Sequence, residues 1–265
     1  VSRSYLQSDT SVKKITNYIT RKVADKLSSI FKNERENLES KWNDIKVVIE
    51  YGMLTEDKFY EKAESFNLYP TVDQKYYTYQ ELEDKTKDLQ TDKDGNLIIL
   101  YAQNKDEQYT YIESAKEKGY EVLLLDSPII PHLIQKLESK NDKIKFSRVD
   151  SDTLENLIKK DDQVVSKLSD EEKDKLKPMI ETAVSEDKYT VQLEPLDSKS
   201  LPFMLAQPEF MRRMKDMQQT GGGGMGNMPD MYSLIVNTNH ELVSKILNTR
   251  TEKKRNSLIK QSVDL

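Results

Sequence analysis

The stretch LIILYAQNKDEQYTYIESAKEKGYEVLLLD, Leu97 to Asp126, decides the fold. Its two ends, LIILYA and EVLLLD, are nearly continuous apolar runs, and Gly119 closes the helix-like segment between them. A strand that is apolar on both faces must be covered on both faces, which is the pattern of a buried parallel sheet. Strand, helix and strand in that order make a βαβ unit. A further helix from His132 to Ser139 and the strand KFSRVD, Lys145 to Asp150, extend it to a layer of about three strands.

Upstream, Val12, Ile15, Tyr18, Ile19, Val23, Leu27, Ile30 and Phe31 recur three and four residues apart, which predicts a long amphipathic helix capped by Ser8, Asp9 or Thr10. Leu38, Trp42, Ile45 and Ile49 share one face of a second helical stretch, and a third is expected around Lys58 to Ser65. Tyr76, Tyr77 and Tyr79 precede an acidic, lysine-rich helix or loop that ends at the turn Asp94-Gly95-Asn96. Downstream, Ser151 to Asp187 is highly charged and reads as helical, with SDEEKDKL from Ser169 as a capped start. YTVQLEP from Tyr189 and YSLIVN from Tyr232 read as strands. Two helices follow, carrying Leu242, Ile246 and Leu247, then Leu258, Ile259 and Val263, with Thr238 or Asn239 as a cap for the first. The main boundary is placed at about Asp150, giving units of 1–150 and 151–265.

The chain has 265 residues, 33% of them charged, and 46 acidic against 41 basic side chains leave a net charge of −5. That balance offers no electrostatic reason to expect a nucleic acid or an anionic membrane as partner. There is no cysteine, which excludes disulfides and zinc-thiolate sites and fits a reducing compartment, so a cytoplasmic location is expected. No apolar run approaches the roughly 20 residues needed to cross a bilayer, and the first residues lack a signal-peptide core. Val1 is not an initiator methionine and SLIKQSVDL keeps a helical pattern up to Leu265, so both ends are expected to be cut.

Catalytic signatures are missing: no phosphate-binding GxxxxGK, no GxGxxG after a strand, no GxSxG and no HExxH. GGGGMG, Gly221 to Gly226, has no strand leading into it and no lysine closing it, and reads as linker. His132 and His240 lie far apart with no second ligand at metal spacing, so no metal site is expected. The strongest local feature is LPFMLAQPEFMRRMKDMQQ, Leu201 to Gln219, inside a region from Met204 to Met231 that holds seven of the nine methionines. Phe203, Phe210, Met211, Met214 and Met217 fall at spacings that gather them on one side of a helix, with Arg212, Arg213, Lys215 and Asp216 on much of the other. Methionine is polarizable and repacks cheaply, so this face is either a tolerant protein-binding surface or part of a core.

Taken in order, these features resemble the middle and carboxy-terminal part of the ninety-kilodalton heat-shock chaperone family, in its bacterial branch, almost end to end. VSRSYLQ resembles the family segment in which serine and arginine precede a glutamine, here Ser2, Arg3 and Gln7. Glu121, Val122, Leu123, Leu124, Asp126, Ser127 and Pro128 resemble the core of its small α/β subdomain. The carboxy-terminal match is looser, and Gly221 to Met231 departs from the pattern.

The resemblance implies an ATP-dependent chaperone that binds unfolded or partly folded clients and dimerises through carboxy-terminal helices. It implies that ATP and magnesium are held by an amino-terminal domain outside this chain, so the chain by itself has no cofactor and is not an enzyme. Arg3 would act on that ATP with Gln7 as its polar partner, while Phe203, Phe210, Met211, Met214 and Met217 would meet clients. The fold class expected is α+β: helices, a small αβα layer with a short parallel sheet, then a smaller, truncated α+β domain of dimerisation type. Two other readings stand beside it. One is an adaptor whose methionine helix docks in a single partner's groove. The other is a small-molecule enzyme with a pocket beyond the strand ends near Asp126.

Overall fold

A computed structural model describes residues 10–161, 164–184, 189–221 and 232–263. Helix α1, Thr10–Asn33, is followed by α2, Arg35–Ser40, α3, Trp42–Thr55, and α4, Asp57–Ala63. A small hairpin pairs β1, Tyr69–Pro70, with β2, Tyr76–Tyr77, and leads into α5, Tyr79–Gln90. Thr78 caps α5 by accepting from the Glu81 amide while the Glu81 side chain accepts from the Thr78 amide.

The βαβ unit forms as its apolar runs require. Strand β3, Leu97–Ala102, is central, and β4, Val122–Leu124, and β5, Ile144–Arg148, flank it, both parallel to it. Every residue of β3 is buried. Leu97, Ile99 and Tyr101 enter the core built with Trp42, Met53 and Phe66, whereas Ile98, Leu100 and Ala102 pack with Ile112, Ala115 and Val122 on the opposite face. The two-residue period of a strand thus divides one apolar run between two cores. The covering helices are α6, Tyr109–Glu117, and α7, Ile130–Lys140. Gly119, at φ 76°, turns the chain out of α6 in a region that favours glycine.

Gly52 shows how closely the helical part is packed. A Cβ there would stand 2.9 Å from the Phe59 ring, itself edge-on to Phe66. Helix propensity alone favours alanine, but the ring has to move to admit the methyl group. Gly52→Ala is therefore expected to destabilise by about 1–3 kcal/mol, read from urea unfolding.

The later part holds α8, Leu154–Leu157, α9, Asp170–Ala183, β6, Tyr189–Glu194, β7, Phe203–Ala206, α10, Glu209–Gly221, β8, Tyr232–Asn237, α11, Glu241–Asn248, and α12, Glu252–Val263. Strand β8 lies between β6, parallel to it, and β7, antiparallel to it. Leu176, Ile180, Val191, Phe203, Leu234, Val236, Val243, Ile246 and Ile259 make its core.

Three expectations are corrected. The charged stretch after Ser151 is not one helical region: residues 158–161 and 164–168 are non-helical. Side chains satisfy its backbone instead, with Lys167 N donating to Asn239 Oδ1 at 2.7 Å and Asn239 Nδ2 to Val165 O at 3.0 Å. The cap of α11 is His240, whose Nδ1 accepts from Leu242 N at 3.0 Å, because Asn239 is engaged there. Phe203 stands on a strand rather than on the methionine helix, since its register opposite Val236 directs it into the core. The other expected caps, Ser8 and Asp9, lie outside the described residues.

Candidate functional site

Helix α10 follows β7 in sequence, yet its first turns are held by the α/β layer. Glu209, Arg212, Arg213 and Asp216 have the i, i+3, i+4, i+7 spacing of an inward face. Arg212 is 2% exposed. Its Nη2 donates to Glu209 Oε1 at 2.7 Å and to the Tyr101 hydroxyl, and its Nη1 donates to Asp216 Oδ2 at 2.6 Å and to Gln103 Oε1 at 3.2 Å. Arg213 donates to Glu209 Oε1 at 2.6 Å, to Glu138 Oε2 on α7 at 2.7 Å, and to the Phe146 carbonyl on β5. Tyr101 donates to Glu209 Oε1 at 2.8 Å, and the Arg148 amide reaches Glu209 Oε2 at 3.2 Å. Burial by itself raises the Glu209 carboxyl, but Arg212 and Arg213 outweigh it and hold the group below its usual value. Burial, helped by Glu209, raises the Tyr101 phenol.

Phe210 is 73% exposed, and Met211 and Met214 are half-buried. Met217 lies on the same helix. The charged side of the helix is the one that packs inward: Arg212 and Arg213 face the protein and Phe210 faces away. Arg3 and Gln7 fall outside the described residues.

Beyond the strand ends, Asp126 pairs with Lys46 beside a void of about 10 Å³, space for one water and not for a metabolite. A wider cleft of about 640 Å³ separates α6 from the segment around Leu201, where Tyr111 donates to the Leu205 carbonyl at 2.6 Å. Among the described residues, no group of three or more His, Asp or Glu side chains could hold a metal ion, and no helix is long and apolar enough to cross a membrane.

A family model described as Hsp90 protein matches residues 1–265. The chain belongs to the Hsp90 family. Chaperone protein HtpG of Bacteroides thetaiotaomicron is 49% identical over 253 residues, covering 94% of this chain and 37% of the relative. HtpG of a Bacteroides fragilis strain is 48% identical over 252 residues, covering 93% and 37%. HtpG of a Porphyromonas gingivalis strain is 45% identical over 263 residues, covering 97% and 38%. This Hsp90 chain thus spans under two-fifths of the length of those relatives.

Sequence reasoning missed the Glu209–Arg212–Arg213 cluster of this Hsp90 chain. Its signal was present as four charged residues at the i, i+3, i+4, i+7 spacing of a core face.

Proposed function

We propose that this chain is the client-binding and coupling portion of an ATP-dependent cytoplasmic chaperone. Residues 1–150 are then the later middle domain, and 151–265 a carboxy-terminal client-binding and dimerisation domain. The observation that carries the reading is Phe210, 73% exposed beside Met211 and Met214, in a chain closely related to proteins named chaperone HtpG. A large aromatic ring standing in water next to thioethers that repack cheaply is suited to apolar segments of no fixed shape. Clients are unfolded or partly folded proteins, and two copies of the full-length protein form the clamp. Arg3 is offered to the γ-phosphate of ATP held, with magnesium, by the amino-terminal domain, and Gln7 is its polar partner.

The test is suppression of aggregation of a chemically denatured model protein. Phe210→Ser is expected to weaken client affinity about tenfold while leaving the unfolding midpoint within experimental scatter. Joint replacement of Met211, Met214 and Met217 by serine is expected to weaken protection further. If that triple change unfolds the later part of the chain instead, these methionines are core, and unchanged protection by Phe210→Ser removes the helix from the client surface.

A further inference from the structure

Two clefts run end to end between the α/β layer and the later part of the chain. The first, of about 640 Å³, and the second, of about 630 Å³, share Lys118, Glu155, Leu196 and Asp197, and so form one groove. One wall is α6 with α8, which packs on the α/β layer through Leu154 and Leu157. The other wall is residues 194–204, where Leu196 and Met204 cover Ala206 and Ile235 on the second face of the later sheet. Both walls are held in place. Asn237 Nδ2 donates to the Asp197 carbonyl at 2.7 Å, and Asn239 Nδ2 to the Leu196 carbonyl at 3.0 Å. The Tyr111 hydroxyl, donating to Leu205, and the Gln207 amide, donating to the Asp150 carbonyl at 3.1 Å, tie the two sides together. A groove fixed before binding spares a ligand the cost of ordering its walls.

Apolar groups stand open to water along it: Tyr109 is 58% exposed on one wall and Leu201 42% on the other, and Val164 is 42% exposed in the second half. The charges are sorted by sign. Carboxylates outnumber ammonium groups in the first half, where Glu113 and Glu117 stand on α6, and lysines outnumber carboxylates in the second, where Lys93, Lys159 and Lys160 gather. At the seam Lys118 and Glu155 neutralise each other at 2.8 Å. Glu117 and Lys159 are exposed and make no ion pair among the described residues.

We propose that this groove is a charge-reading peptide site, separate from α10, for an extended polypeptide segment with a basic side chain at one end, apolar side chains between, and an acidic side chain at the other. The charge order of the groove is the complement of that segment. Helix α10 offers partners thioethers that accept many shapes, whereas fixed charges reject a segment of the wrong sign.

The experiment is fluorescence anisotropy of short labelled peptides, blocked at both ends, on the full-length protein. One peptide carries lysine, leucines and aspartate in that order, and in the other the lysine is replaced by aspartate. The first is expected to bind about fivefold more tightly, with the difference shrinking as salt is added. Glu117→Lys is expected to abolish the preference, Lys159→Glu to weaken both peptides, and Phe210→Ser to alter neither. Equal binding of the two peptides, no binding of either, or a preference that survives Glu117→Lys overturns the proposal. Loss of the preference in Phe210→Ser overturns it too, because the peptides would then sit on α10. Should Glu117→Lys lower the unfolding midpoint, Glu117→Gln takes its place, and a preference unchanged by that variant overturns the proposal instead.

Discussion

Arg212→Ala is expected to destabilise the protein by about 3–5 kcal/mol, measured by urea unfolding. The side chain is 2% exposed, and removing it strips donors from Glu209, Asp216, Gln103 and the Tyr101 hydroxyl at once. Glu209 keeps Arg213 and Tyr101, yet its charge was balanced by two guanidinium groups and would then be balanced by one. Lysine is not a remedy, because a single ammonium cannot span Glu209 and Asp216 as the planar fork does. The difference between wild type and variant should also depend on pH. A carboxyl held below its usual value adds stability that is full above the ordinary glutamate range and fades as pH falls, so the wild-type advantage should shrink in acid. Hydrogen exchange supplies a local readout: amides of residues 209–216 should lose protection in the variant more than those of β8. A cost under about 1 kcal/mol would mean that the ionic cluster decorates the helix without holding it.

Arg3→Ala is expected to lower ATP turnover of the full-length protein by about a thousandfold while nucleotide binding persists. A guanidinium is charged at all working pH and presents a planar fork of donors, so it can stabilise negative charge that shifts as the γ-phosphoryl group leaves. Arg3→Lys keeps the charge and loses the fork, and should recover only a small part of the rate. Single-turnover hydrolysis alongside equilibrium nucleotide binding separates the chemical step from affinity. Turnover indifferent to Arg3 would leave the chain a protein-binding module with no part in hydrolysis.

The α/β layer was legible because its signal is local: two apolar runs of strand length, a glycine at the helix stop, and no polar residue to compete for either strand. The segment from Phe203 to Ala206 was not, because four residues beside a methionine-rich helix carry too few periods to separate strand from helix, and only pairing with β8 decides it. Residues 158–168 misled for a different reason. Charge and lysine spacing favour a helix there, but Asn239, more than seventy residues away in sequence, supplies the hydrogen bonds that hold Val165 and Lys167 in another conformation. The inward face of α10 was hidden by the rule that charges face water, which fails where arginines and carboxylates neutralise one another inside. The apolar surface around Phe210 was visible in the sequence, and what the sequence could not provide was the direction in which the helix would turn it.

The two sheets also differ in the order in which synthesis supplies their strands. In the α/β layer the central strand, β3, is made first, so β4 and β5 each find a template waiting as they emerge. In the later sheet the centre is β8, made last, and neither β6 nor β7 has a neighbour to pair with until residues 232–237 have left the ribosome. While the forty or so residues between β6 and β8 are translated, β6 has unpaired edges, and β7 shares that state from residue 207 onward. This chain is then, for that interval, a nascent polypeptide with open strand edges of the kind that favour aggregation.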